Sequence, residues 1–332
     1  MKLFHVYNAH AALSSRIQMQ LSWQTGHVID KSAKSMWSDI LGVICREKAI
    51  IVFHAQSSLP YLFVAIAVGF IFGKKHVYVY DIHDLNEYGK KGSIRSRIRW
   101  AIFYCLERIV AMLNVRLLTV SRGLSLIYYR RLRKSVSVVY NVSVHGVEGE
   151  GDFLNSMDSD CKTIIYFGLL KEDRVNLDAV EKLLATGRFS SFDVRGIQSP
   201  YASIGFKNRV SQMISNGCLK VGARYEAHDL SFLRAYKFSW LCFESPAINI
   251  RYCMPNKLFQ SLESGLRCII SENMREVDIV FGRGCMKYQD CINGTTTRLC
   301  QFLPQDRYEI RERIKQLQVK SRSKFLRACG FA

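Results

Sequence analysis

A chain of 332 residues is too long for one ordinary core, so two domains are expected. A hydrophobic share of 48%, a charged share of 23% and only five prolines exclude a disordered or collagen-like polymer, and there is no repeat at a solenoid period. The net charge of +19, spread over both halves, calls for an anionic partner: nucleic acid, anionic lipid or a phosphorylated substrate.

The first half alternates strands and helices. Lys2–Tyr7 reads as the first strand, so Met1–Asn8 is not expected to be a signal peptide. A helix is expected over Ser32–Glu47 and a strand over Ile50–His54. Leu59–Gly73 is nearly all apolar but shorter than the ~20 residues of a membrane span, which predicts a buried helix packed on a sheet. The series continues with a strand at His76–Tyr80, a helix at Ile94–Leu113, a strand at Arg116–Val120, a helix at Arg122–Arg133 and a strand at Val136–Tyr140. Residues 141–160 break the alternation with Gly, Asp, Glu and Ser and read as a linker.

A second series follows. Strands are expected at Thr163–Phe167, Phe192–Arg195, Leu219–Val221, Ser239–Phe243 and Cys268–Ser271. Helices are expected at Leu177–Ala185, Phe206–Ser215, His228–Ala235 and Lys257–Ser264, with a charged terminal helix over 306–327. Such alternation implies two parallel βαβ domains. Ligands of these folds bind at the carboxyl ends of the strands. The eleven cysteines contain no Cys-x-x-Cys pair, and Cys105, Cys242 and Cys268 lie in apolar stretches, which suits free thiols in a reducing cytosol.

Two stretches carry a more specific pattern. Pro255-Asn256-Lys257-Leu258-Phe259-Gln260-Ser261-Leu262-Glu263-Ser264-Gly265, running into Cys268–Ser271, resembles the P-x-K-L-(F/Y)-E-x-(L/M)-A-x-G segment of bacterial GT-B glycosyltransferases of the group 1 (family 4) type. Tyr166-Phe167-Gly168, with Arg174 six residues on, resembles the start of their C-terminal domain. Asp81-Ile82-His83-Asp84-Leu85 resembles a D-x-H-(D/E) strand end of the same family. The chain departs from the pattern at Tyr252 and Gln260, where the family often carries Glu, at Leu169 in place of Arg and at Arg267 in place of Pro.

The resemblance implies an α/β GT-B fold, two Rossmann-like domains facing a central cleft. Residues 1–143 would bind the acceptor, 144–160 would link, 161–305 would bind the nucleotide-sugar, and the helix 306–332 would pack back on the first domain. It implies a metal-independent glycosyltransferase of the hexosyl or glucuronosyl class. No cofactor is expected, only a nucleotide-sugar co-substrate with UDP favoured and a glycan or lipid-linked acceptor. The setting would be bacterial capsule, exopolysaccharide or lipopolysaccharide synthesis, in the cytoplasm or on the inner face of the plasma membrane.

The physics of the candidate residues agrees. A helix starting at Pro255 presents a positive dipole end suited to a diphosphate, and Lys257 in its first turn makes sense beside an anion. Gly168, Arg174, Tyr252, Asn256, Lys257 and Gln260 are the expected donor-binding residues. Asp84, with His83 beside it and Asp81 behind, is the expected catalytic group at a strand end. Arg95, Arg97, Arg99 and Trp100 form a basic, aromatic helix start suited to anionic lipid or a lipid-linked acceptor. Two alternatives are a sugar-nucleotide epimerase of the same fold and a basic nucleic-acid-binding protein. The second lacks any RNP, KH, zinc-finger or helix-turn-helix signature.

Overall fold

The computed structural model describes residues 1–7, 15–30, 36–46, 48–83, 85, 94–142, 162–223, 229–243, 248–295 and 303–331. In chain order the elements are β1 (Lys2–Tyr7), α1 (Ser15–Trp23), β2 (His27–Asp30), α2 (Met36–Arg46), β3 (Ala49–His54), α3 (Leu59–Ile71), β4 (Val77–Ile82), α4 (Ile94–Met112), β5 (Val115–Thr119), α5 (Arg122–Leu132) and β6 (Val136–Val138). They continue with β7 (Thr163–Phe167), α6 (Leu177–Ala185), β8 (Ser191–Arg195), α7 (Ile204–Ser215), β9 (Leu219–Gly222), β10 (Phe238–Leu241), α8 (Ile248–Tyr252), α9 (Asn256–Glu263), β11 (Arg267–Ile270), α10 (Arg275–Phe281), β12 (Cys285–Lys287), α11 (Tyr288–Asn293) and α12 (Pro304–Cys329).

The chain divides into two compact units, one of Met1–Val144 with Tyr252–Met254 and Gln316–Ala332, the other of His145–Arg251 with Pro255–Lys315. The first unit holds a parallel sheet in the order β2-β1-β3-β4-β5-β6. Its strands are apolar on both faces, as a sheet covered on both sides requires. On β3, Ile51 and Phe53 join a core that includes Ile40 of α2, Leu62 of α3, Val110 of α4 and Leu124 of α5. Ile50 and Val52 point the other way, into a core with Trp23 of α1 and Phe325 of α12.

The second unit repeats the design in the order β12-β11-β10-β7-β8-β9, all parallel. Ile164, Phe192 and Trp240 pack under α6 and α7, while Ile165 and Phe167 pack on the opposite face with Leu233 and Leu266. Its helices start where the sequence supplies caps: Asn176 Oδ1 accepts from Asp178 N and Ala179 N, and Ser203 Oγ accepts from Phe206 N.

Several expectations shift. The helix expected over His228–Ala235 is a 3₁₀ turn, Ser231–Ala235. Residues 224–228, and the linker residues 143–160, lie outside the described part. The sequence pattern did not reveal α1, β2, α8, α10, β12 or α11, which are short or weakly patterned. Leu59–Gly73 is helical and packs Leu59, Leu62 and Ala65 inward, but its last turn is not buried: Phe70, Ile71 and Phe72 are exposed.

Candidate active site

Each sheet reverses its strand order once, and that reversal opens a crevice at the carboxyl ends of the flanking strands. In the first unit it falls between β1 and β3, beside β4. In the second it falls between β7 and β10. The polar side chains of interest gather at these two places.

At the second unit's reversal, β7 ends in Gly168, whose φ of 131° lies where L side chains are strained. A Cβ there would stand 2.1 Å from Lys257 Nζ, so the backbone leaves room for that side chain. Gly196, past the end of β8, is as constrained: a Cβ would meet the Gly168 carbonyl oxygen at 1.9 Å. Lys257, in the first turn of α9, reaches back to β7. Its Nζ donates to Tyr166 Oη at 3.1 Å and lies 4.2 Å from the centre of the Tyr166 ring. Tyr166 Oη in turn donates to the Leu169 carbonyl at 2.9 Å, which fixes the turn after the strand. Arg174 holds its guanidinium 5.8 Å from the centre of the Phe243 ring, beyond the end of β10.

Burial, with the nearby Arg174 charge, pushes the Lys257 ammonium down to about 7. Among the described residues no carboxylate pairs with it. The structure thus brings Gly168, Arg174 and Lys257 together. Asn256 opens α9 and Gln260 follows Lys257 by one turn, both partly exposed. Tyr252 is described within the first unit. Its ring packs against Gly123 at the start of α5.

At the first unit's reversal the hub is Asp81, fully buried near the end of β4. Arg16 of α1 holds it with two bonds, Nε to Oδ2 at 2.6 Å and Nη2 to Oδ1 at 2.5 Å. Gln20 Nε2 donates to Oδ2 at 2.8 Å. His54 Nδ1 lies 3.2 Å and His83 Nε2 3.5 Å from the same oxygen. His54 Nε2 meets His5 Nδ1 at 2.9 Å. Burial works against the Asp81 charge, but Arg16 and the bonds from His54, His83 and Arg16 hold its carboxyl well below the usual range. Burial pushes His54 down to about 4 and His5 down to about 3, so both imidazoles are neutral near pH 7. Ala55, next to His54, takes φ 61° and ψ 167°, a conformation disfavoured for a residue with a Cβ.

His83 is the member of this array that meets solvent, with 19% of its side chain accessible. Asp84 lies outside the described residues. His54 Nδ1, Asp81 Oδ2 and His83 Nε2 are close enough to share a metal ion. Yet Oδ2 already accepts from Arg16 and Gln20, and the Arg16 charge opposes a second cation. The array is better described as a hydrogen-bonded support for His83. Sequence reasoning missed His5, His54, Arg16 and Gln20. A histidine inside the apolar run Lys2–Tyr7, and another closing Ile50–His54, were the available signals. Arg95, Arg97 and Arg99 are exposed at the start of α4 and Trp100 is partly so.

No protein-family model matches the sequence, and a search of curated proteins finds no match. Solved structures do match. A trehalose-phosphate synthase (UDP-forming) from Burkholderia vietnamiensis superposes with a TM-score of 0.61 at 10% identity, covering 100% of both chains. HepE of Anabaena, solved in complex with UDP, gives 0.63 at 9% identity over 98% of this chain and 95% of its own. The pneumococcal O-GlcNAc transferase GtfA, in complex with UDP and GlcNAc, gives 0.56 at 9% identity over 88% of this chain and 58% of its own. The fold is GT-B, two Rossmann-like α/β units in tandem, shared with these glycosyltransferases.

Proposed function

We infer that this GT-B protein transfers a glycosyl group from a nucleotide-sugar, with a UDP-sugar favoured, to a hydroxyl acceptor. The observation that carries this reading is Lys257: an ammonium held in an aromatic corner at the β7–β10 reversal, depressed by burial and Arg174, with no carboxylate partner among the described residues. A diphosphate supplies the missing negative charge, and the N-terminus of α9 adds its dipole. The UDP complexes of the structural neighbours support the same choice of ligand.

In this mechanism the bond between the anomeric carbon and the diphosphate oxygen breaks, and the acceptor oxygen bonds to that carbon. The diphosphate leaves with its charge matched by Lys257 and Arg174, which stabilises an oxocarbenium-like transition state. Gln260 would hydrogen-bond the ribose, Asn256 would lie beside the nucleotide, and Gly168 would let the phosphates approach the backbone. We assign the acceptor's proton to His83, with Asp81 positioning the ring; Asp84 is the alternative base. The acceptor class we favour is a glycan or lipid-linked sugar of bacterial surface polysaccharide, made by a hexosyl or glucuronosyl transfer in the cytoplasm. Arg95, Arg97, Arg99 and Trp100 would meet a lipid-linked acceptor.

The test is a thermal-shift titration with UDP, GDP, CMP and ADP on wild type and Lys257→Ala, followed by assay of nucleotide release with and without acceptor glycans. A shift with one nucleotide, lost in the variant, supports the donor site. Conversion of the donor without any acceptor would instead mark an epimerase. No shift with any nucleotide refutes the donor site.

A further inference from the structure

The outward face of the first unit's helical layer presents an anomaly. α3 carries no charged residue from Leu59 to Gly73, although one side of it is not covered. Leu59, Leu62 and Ala65 point into the core, but Phe63, Ala67, Phe70 and Ile71 share the opposite side at helical spacing. Phe70 is 86% exposed and Ile71 75%, and Phe72 follows them. A helix that is apolar all round is normally enclosed by protein or by lipid.

α4 packs beside α3 and repeats the pattern. Ile94, Ile98 and Ile102, four residues apart, are each more than half exposed. Cations frame both helices: Lys74 and Lys75 follow α3, and Arg95, Arg97 and Arg99 flank the isoleucines of α4. The two helices contain one acid, Glu107, and it is buried and paired with Arg131.

We propose that the α3–α4 face seats the protein on an anionic lipid surface, with Phe70, Ile71 and Ile98 entering the headgroup–acyl boundary. The charge selects this occupant. A second copy related by a two-fold axis would set arginines against arginines, whereas anionic headgroups complement the frame. The mode is interfacial rather than spanning. Among the described residues no helix is long and apolar enough to cross a membrane, and the 13 residues of α3 reach only roughly 20 Å. The proposal rests on the exposed faces of α3 and α4 and stands apart from the assignment of glycosyl transfer.

The experiment is vesicle flotation with pure phosphatidylcholine and with about one-third phosphatidylglycerol. The proteins are wild type, Phe70→Ser/Ile71→Ser and Arg95→Gln/Arg97→Gln/Arg99→Gln. Circular dichroism melts establish that each is folded, and light scattering gives the oligomeric state. The expected result is binding to anionic vesicles alone, weakened at least about tenfold by each set of substitutions. Three results would overturn the proposal: folded wild type that stays with neither vesicle, binding that the Phe70/Ile71 variant retains in full, or a wild-type dimer that the same variant dissolves. Nucleotide binding unaffected in a Phe70→Ser/Ile71→Ser variant that no longer floats separates this site from the donor site.

Discussion

Arg16 and Asp81 come from segments 65 residues apart and meet through two side-chain bonds in a site closed to water. The pair anchors α1 to the end of β4. Arg16 Nη1 also reaches the Val139 carbonyl and Asn141 Oδ1, each at 2.7 Å, so one guanidinium ties α1 to the segment after β6 as well. Removing one member leaves the other as a buried, unmatched charge. Arg16→Ala and Asp81→Asn are each expected to cost about 3–5 kcal/mol in urea unfolding, because each leaves a buried charge without its counter-charge. Losses below about 1 kcal/mol from both would contradict the charge argument.

The buried histidines make the first unit acid-sensitive. His5 and His54 titrate at about 3 and about 4 in the folded protein, below their ordinary 6.5, so the unfolded chain binds more protons as pH falls. Their contribution is present above pH 6.5 and is lost progressively as pH falls through about 4 for His54 and about 3 for His5. Asp81 adds to the same loss only below 3.8. Melting temperature measured against pH should therefore decline below about 6.5, and His54→Gln should flatten the slope.

Lys257 has the same sign in a higher pH window. Its folded value of about 7 lies below the ordinary 10.5, so its charge opposes folding most strongly below pH 7, and stability rises with pH between the two values. Lys257→Met should raise the melting temperature at pH 7 while abolishing UDP binding. A bound diphosphate restores the ammonium. Calorimetry near pH 8.5 in buffers of different ionisation enthalpy should thus record about one proton taken up with UDP. No proton uptake there would separate Lys257 from the phosphates.

Gly168→Ala tests the backbone at the end of β7. The φ of 131° disfavours any side chain, and the new Cβ would stand on Lys257 Nζ. UDP affinity should fall by at least about tenfold, with a stability loss of about 1–3 kcal/mol. Arg174→Ala, at an exposed position, should lower affinity without the stability loss.

Ala55→Gly is expected to stabilise the first unit by a few tenths to about 1 kcal/mol, since glycine accepts the φ of 61° without strain. If the strained turn serves to position His54, the same variant should lower turnover with UDP binding unchanged.

The alternating apolar strands and helices, and the segment from Pro255 to Gly265, were legible without coordinates. Periodicity and helix-start chemistry are local, so they survive in one dimension: Thr163–Phe167 and Leu177–Ala185 occur as the pattern places them. Lys257 could be singled out because a cation in a helix's first turn is locally unfavourable and asks for an anion. What the pattern could not reveal depends on distance along the chain. His5 and His54 each look like a lone polar residue in an apolar run and Arg16 lies in a mixed stretch, and only the parallel pairing of β1, β3 and β4, with α1 beside them, brings these three to Asp81. Tyr252 sits three residues before the α9 motif, yet it packs against Gly123, because the chain changes units between Tyr252 and Pro255. The apolar run Leu59–Gly73 shows the same limit: hydrophobicity predicts that a helix will be covered, but only the packing of α3 shows which side the protein leaves open.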